Sequence, residues 1–318
     1  MRRRMKLGLL FVISILFISF QLGSDNVKGS HRFDLAAVLD DDFFNRKLHE
    51  GKLAIRFFNL QSKEKSGDSA LISTPDGKHV LIDAGVPEAG PQIDRLLDRL
   101  DIKRLDAVFA THPHIDHIGG FTTLLYTRPV GTFYHSPLTH TTVTYKKVER
   151  AIAEAEVPKQ ALTAGDIVSI GQHVRIEVLN PPEGTTPGSL DRWGIEQLNN
   201  HSLVLKLQYG NTSFLFTGDI YKKQENLLVE QFGDRLNSTG TDAPHHGDMT
   251  SSSEAFVRAI QPEIAVFSAN TLQSPEVLHM YQEEGIDVYV TGIYGHVLLI
   301  SDGDRMQVHQ QNMVEVNG

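Results

Sequence analysis

The 318-residue chain contains no cysteine. That absence excludes a disulfide framework, a thiolate metal site, a cysteine nucleophile and a lipidated cysteine near the amino terminus. Basic residues are also scarce beyond the amino terminus. Residues 1–30 hold five of the 30 Lys and Arg, which leaves 25 basic against 38 acidic residues in the remainder. So acidic a body is a poor match for non-specific polyanion binding, which relies on basic patches. Outside the first 20 residues no apolar run is long enough to span a bilayer, which argues against a channel or transporter. What the chain does have is 40% hydrophobic residues, enough for a packed core and incompatible with a disordered chain. It also has 15 histidines, so any transition-metal chemistry must run on imidazole and carboxylate.

The amino terminus reads as an address. Arg2-Arg3-Arg4-Met5-Lys6 precedes an apolar run from Leu7 to Phe20. A basic cluster before a short apolar stretch is the design of a secretory signal, and the run is short for a full span. Gln21-Leu22-Gly23-Ser24 lacks a clean small-x-small cleavage pattern, so residues 1–23 are expected to be a signal peptide or an anchor. The chain is then secreted or held at the outer face of the cytoplasmic membrane, touching lipid only through that segment. Residues 24–51, with Asp40-Asp41-Asp42, read as a linker and leading segment.

From Lys52 the pattern is that of a mixed α/β domain, residues 52–318. Strands are expected at 53–58, 70–72, 79–83, 107–110, 174–179, 202–208, 213–217, 264–268, 288–291 and 297–300. Helices are expected at 91–101, 143–156, 222–232, 253–260 and 275–284. Pro75-Asp76-Gly77-Lys78 is strong hairpin chemistry. Pro181–Asn200 reads as a loop, and Ser252 and Ser253 as helix caps.

One stretch dominates: Thr111-His112-Pro113-His114-Ile115-Asp116-His117-Ile118-Gly119-Gly120. Three imidazoles and a carboxylate fall within six residues, directly after the buried strand Ala107–Ala110. His112 and His114, two apart, point the same way while the chain is extended. Asp116 and His117 follow as the chain turns, and can address a second point nearby. Such ligands suit zinc, manganese or iron.

This segment resembles the His-x-His-x-Asp-His signature of the metallo-β-lactamase superfamily. Three further segments resemble that family's motifs in order: Leu81-Ile82-Asp83-Ala84-Gly85, Phe216-Thr217-Gly218-Asp219 and Pro244-His245-His246-Gly247. Asn199-Asn200-His201-Ser202-Leu203-Val204-Leu205 resembles the hydrolase domain of ComEC-type competence proteins. The resemblance covers residues 52–303. It implies a four-layer αβ/βα sandwich holding two divalent metal ions, zinc or manganese, at one rim. It places His112 and His114 on one ion, Asp116 and His117 on the other, and Asp219 between them. His245 or His246 completes the set, with His246 the preferred ligand and His245 either a contact to substrate phosphate or a support for the ligands. Asp116 doubles as a proton acceptor. Asp83 and Asn200 are expected around the ligands rather than among them.

The sequence also departs from the family pattern. Asn199 and Asn200 stand where many members have a histidine, so His201 is a possible substitute or a packing residue. Ser62–Ser66 separates Gln61 from Gly67-Asp68-Ser69, and Gln273 replaces a His-Pro before Ser274. His296 reads as structural. The function implied is a metal-dependent hydrolase of phosphodiester bonds using a metal-activated hydroxide. Its expected substrate is a phosphoester or polymer, nucleic acid included, with no obligate protein partner evident. A choline-phosphate esterase or other ester or lactone hydrolase is the alternative enzyme, and a degenerate binding module the alternative to catalysis. A true β-lactamase is disfavoured, because no cysteine ligand exists and Asp219 is typical of the phosphoesterase-like branches.

Overall fold

The computed structural model describes residues 43–62, 67–186 and 194–310. The expected signal and most of residues 24–51 lie outside this range. Two sheets carry the fold. The first is built from β1 (Leu53–Phe57), β2 (Ala70–Ser73), β3 (His79–Ile82), β4 (Ala107–Ala110), β5 (Phe133–His135) and β6 (Lys159–Ala161). The second contains β7 (Ile167–Ile170), β8 (Val174–Asn180), β9 (Val204–Tyr209), β10 (Thr212–Phe216), β11 (Gly240–Asp242), β12 (Ile264–Phe267) and β13 (Asp287–Val290). The chain then returns to the first sheet with β14 (Val297–Ser301) and β15 (Met306–Gln310), giving the order β15-β14-β1-β2-β3-β4-β5-β6. The second sheet runs β13-β12-β11-β10-β9-β8-β7.

Each sheet has an antiparallel half and a parallel half. Pairings β3–β4, β4–β5 and β5–β6 are parallel in one, and β10–β11, β11–β12 and β12–β13 in the other. Parallel strands are buried on both faces, which is why Ala107-Val108-Phe109-Ala110 reads as an unbroken apolar run. Ala107 and Phe109 face the core between the sheets, with Ile55, Phe57, Leu205, Phe214 and Phe216. Val108 and Ala110 face the opposite way, into a core with α1 (Gly90–Arg99) and two short helices after the histidine motif, α2 (Ile115–Ile118) and α3 (Phe121–Thr127). That core also takes in α4 (Val143–Glu154). After α5 (Ile195–Asn200), the outer face of the second sheet is covered by α6 (Lys222–Phe232), α7 (Glu254–Ile260) and α8 (Pro275–Glu283). The layers are helix, sheet, sheet, helix. Truncating a fully buried inter-sheet ring such as Phe216 would cost roughly 3–5 kcal/mol.

Phe43, in the leading segment upstream of Lys52, is buried in the helix-side core. Two expectations need correction. Pro181–Asn200 is not wholly a loop, because its last six residues form α5. Ser253 precedes α7 but makes no side-chain cap; the buried Glu225 carboxylate accepts the Ser252 and Ser253 N–H groups instead, at 2.6 and 2.7 Å. Hydroxyls that do cap are Thr142, accepting from the Tyr145 N–H at the start of α4, and Ser274, accepting from the Val277 N–H at the start of α8.

Candidate metal centre

The carboxyl ends of the parallel strands meet at one rim, the place where open α/β sheets bind ligands. Asp83 follows β3, Thr111–His117 follow β4, Thr217–Asp219 follow β10, and Asp242–His246 run out of β11. Asp83 adopts a left-handed backbone (φ 56°), with its N–H held by the Phe109 carbonyl at 2.8 Å. That turn aims its buried carboxylate across to β4. The carboxylate accepts from the Thr111 N–H (2.8 Å), the Thr111 hydroxyl (2.7 Å) and His117 Nδ1 (2.7 Å). Asp83 thus fixes the His117 ring with Nε2 facing inward, 3.3 Å from Asp219 Oδ2.

His246 is held the same way by a carboxylate that sequence reading did not place at the centre. Its Nδ1 lies 3.1 Å from Asp68 Oδ1 and 3.0 Å from the Ser268 carbonyl, so that nitrogen is the donor. Its Nε2 sits 3.8 Å from Oδ2 of both Asp116 and Asp219. The signal for Asp68 was the Gly67-Asp68-Ser69 fragment, displaced from its usual neighbour by the insertion; residues 63–66 lie outside the described range. Gly67 (φ +71°) is required there, because a Cβ would collide with the Asp116 carbonyl.

Asp219 sits between two donor groups. Asp68, His117, Asp219 and His246 bring one ligand atom each within 4.8 Å of one another, and so do His112, His114 and Asp219. In the second group His112 Nε2 is 2.9 Å from His114 Nδ1 and 3.7 Å from Asp219 Oδ2. The Asn-Asn-His-Ser segment brackets this carboxylate rather than extending the ligand set. Ser202 Oγ accepts the Asp219 N–H (3.2 Å), and Asn200 Oδ1 accepts the Tyr221 N–H (2.9 Å), so Asn200 spends its oxygen on the loop. The asparagine with a buried, unpartnered oxygen is Asn199. His201 turns away, its Nδ1 on the Gln197 carbonyl, and His296 stacks on Phe43 and accepts the Asn59 N–H. His245 lies on the open side, with Nδ1 2.8 Å from Thr250 Oγ1, Nε2 3.8 Å from Asp219 Oδ2, and its ring against Tyr221.

A cation fits these residues. His117 Nε2, His246 Nε2 and Asp219 Oδ1 are all buried without a hydrogen-bond partner, a costly arrangement unless they serve a ligand. Burial opposes charging His117 and His246, yet Asp219 with Asp83 raises the first above the ordinary imidazole range, and Asp68 with Asp219 raises the second. Burial keeps His112 neutral, and pushes His114 down to about 4, so both present lone pairs.

Fold and motifs define a member of the metallo-β-lactamase superfamily, whose family model matches residues 63–269, and the chain belongs to that superfamily of hydrolases. Within it, the chain is similar to ComE operon protein 3 of Bacillus subtilis (strain 168), 31% identical over 201 residues, covering 62% of this chain and 24% of that protein. It is also similar to Competence protein ComA of Neisseria gonorrhoeae, 30% identical over 235 residues, covering 72% of this chain and 30% of that protein. The chain therefore spans a quarter to a third of the length of these relatives. Among solved structures, the CmlA β-hydroxylase E377D mutant shares the fold, with a TM-score of 0.50, 11% identity, and 78% of this chain against 53% of that one covered. Metallo-β-lactamase folds characteristically hold divalent metals, and the donor groups for them are present here.

Proposed function

We propose that the chain is an exported metal-dependent phosphodiesterase. The observation that carries this reading is Asp219, one carboxylate belonging to two adjacent donor groups. That is the layout of a paired-ion hydrolase. His112 and His114 would hold one ion; Asp116, His117 and His246 the other; Asp219 would span both, with Asp68 and Asp83 orienting His246 and His117. When bound, such a pair supplies a water of lowered pKa and positive charge facing the phosphoryl oxygens. The chain's own residues do the rest. Asp116 accepts the proton of the attacking water. His245, on the open side with Nε2 facing the centre, contacts the phosphoryl group or protonates the departing oxygen. Tyr221 and Thr250 hold the His245 ring in place for that task.

An all-nitrogen-and-oxygen donor set and the resemblance to ComEC-type hydrolase domains favour a phosphodiester polymer, nucleic acid included, as the substrate. The arginine-led apolar run at residues 2–20 supports export. The test is a substrate panel with zinc or manganese: a generic phosphodiester, single- and double-stranded DNA, a choline phosphoester, a lactone and a β-lactam. Phosphodiester cleavage that disappears in His114→Ala is the expected result. Hydrolysis of the choline phosphoester, lactone or lactam alone would overturn the substrate class. Less than about half an equivalent of bound metal after loading would favour a degenerate binding module.

A further inference from the structure

A second charged cavity lies at the other end of the first sheet. It is a cleft of about 1060 Å³ bounded by the start of β1, the β2–β3 turn, the end of α1 and the short 3-10 helix Arg46–His49. His79 opens β3 and Asp83 follows its end, so the cleft and the metal rim stand roughly 13 Å apart along the strand, at about 3.3 Å per residue. Five cations line it: Arg46, Lys47, Lys52, Arg56 and Arg99. Three acids share the lining, Glu50, Asp76 and Asp101. Asp76 is hydrogen-bonded by the Thr74 hydroxyl (2.5 Å) and the Gln172 N–H (2.8 Å), and Asp101 pairs with Lys103 (3.4 Å); five cations against three acids give the cleft a surplus of positive charge. That surplus stands out in a chain of net charge −9.

Arg56 is the unusual member. It is the largest of the fully buried side chains, at 1% exposure. Its Nε donates to the Phe43 carbonyl at 3.0 Å, and its Nη2 has no hydrogen-bond partner. A buried guanidinium is ordinarily paired with a carboxylate, because an unpaired buried charge is costly. Among the described residues no carboxylate bonds it; its charged neighbour is Arg46, and burial with that neighbour lowers its pKa to about 10. The same surroundings affect His79, whose Nδ1 is bonded to Ser73 Oγ at 3.0 Å. Burial, then Arg46, push that imidazole down to about 4, against the pull of Asp106. The cations are also held in place. Arg46 Nη1 donates to the Leu100 and Asp101 carbonyls at 3.2 Å each, and the Arg99 guanidinium lies 3.5 Å over the Phe44 ring. Fixed guanidinium forks match the oxygens of a phosphate.

We propose that this cleft is a binding site for a phosphate-bearing anion, held by Arg56 from its floor and by Arg46, Lys47 and Lys52 from its edge. The anion supplies the counter-charge that Arg56 lacks. A soluble phosphate and a phospholipid headgroup offer the same chemistry, and the cleft is large enough for either. The site is independent of the metal centre and of the substrate assigned to it.

The test uses the full chain in two arms, with a chelator present so that the metal rim is silent. One arm titrates inorganic phosphate calorimetrically. The other compares binding to vesicles of pure phosphatidylcholine with vesicles containing 30% phosphatidylglycerol. Saturable phosphate binding, weakened at least tenfold in Lys47→Glu/Lys52→Glu, identifies a soluble phosphate ligand. A preference for the anionic vesicles that the same variant loses identifies a headgroup. Arg56→Gln is expected to match that loss, and the double variant keeps the test valid should Arg56→Gln fail to fold. Hydrolysis by the metal-loaded double variant stays at the wild-type rate. The proposal is overturned by three results: no binding in either arm, equal binding by wild type and double variant, or phosphate binding that emerges only after Asp40, Asp41 and Asp42 are changed to Asn. The last would mean that the chain's own acidic run fills the cleft.

Discussion

Asp83→Asn separates a carboxylate that ties two strand ends together from one that prepares a metal ligand. The Asp83 carboxylate is buried and accepts three hydrogen bonds, two from Thr111 and one from His117 Nδ1. Asparagine keeps one oxygen, which can go on serving Thr111. Its amide nitrogen would then face His117 Nδ1 with a donor against a donor. The ring answers by moving its proton to Nε2, the atom that lies 3.3 Å from Asp219 and that a metal would need. Losing one hydrogen bond to a charged group costs about 1.5–3 kcal/mol, which is roughly 10- to 100-fold in an equilibrium constant. Outer-shell substitutions at metal sites reduce affinity by the same 10- to 100-fold.

The loss must also be selective. His117 belongs with Asp68, Asp219 and His246, whereas His112 and His114 form the other group. Calorimetric titration of manganese into Asp83→Asn should therefore show one site weakened 10- to 100-fold and the other within about threefold of wild type. Phosphodiester turnover should fall by a similar factor, while a Tm lowered by no more than several degrees, with the transition still cooperative, shows that the fold is intact. If both sites bind manganese as in wild type, Asp83 only ties β3 to β4 and the orienting role is wrong. If both are lost together, the two donor groups do not titrate as separate ions.

Asp219→Asn removes the one carboxylate common to both groups among the described residues, so it should abolish stoichiometric binding of either ion and lower turnover by about a thousandfold, checked by metal analysis and initial rates. Glu225→Gln weakens the two charge-assisted hydrogen bonds at Ser252 and Ser253; about 1.5–3 kcal/mol and a Tm lower by several degrees are expected by calorimetry. His79 gives a pH signature. Its folded pKa, about 4, lies below the ordinary 6.5, so the folded state binds fewer protons than the unfolded one. Its contribution is present in full above pH 6.5 and is lost as pH falls toward 4. The full effect is on the order of 3 kcal/mol, and His79→Gln should flatten that part of a denaturant-derived stability profile.

The elements that the sequence showed are those with apolar faces of their own. β4 (Ala107–Ala110) and α6 (Lys222–Phe232) have the bounds expected of them, because one is a run buried on both sides and the other a long helix with a buried stripe. The elements that escaped are short or edge-placed. β6 (Lys159–Ala161) is exposed at all three residues, β11 is three residues long, and β15 alternates polar residues at the sheet margin. Apolar periodicity has nothing to grip in such segments; they exist because a neighbouring strand offers hydrogen bonds. The same holds at the rim. His112–His117 stand out because four candidate ligands share one strand end. Asp68 does not, because its meaning depends on His246, 178 positions away.

Backbone conformation accounts for the remainder. Among the described residues, seven non-glycine positions have positive φ, and three are at this rim: Asp83 (56°), His245 (53°) and His246 (58°). Each costs about 1–2 kcal/mol relative to the right-handed region. No propensity rule would place two consecutive histidines there. The cost is met by tertiary hydrogen bonds that fix the turn, such as His245 N–H to the Gly218 carbonyl at 3.0 Å. The turn then splits the pair, sending His246 inward with an orphaned Nε2 and leaving His245 on the open side. Glycine at position 245 relieves the strain but deletes the imidazole; asparagine tolerates the same φ and keeps a polar side chain. His245→Asn should therefore retain wild-type stability and manganese affinity while losing turnover by about 100-fold. A variant that instead lost metal and kept its rate on the remaining holoenzyme would reverse the assignment of the two histidines.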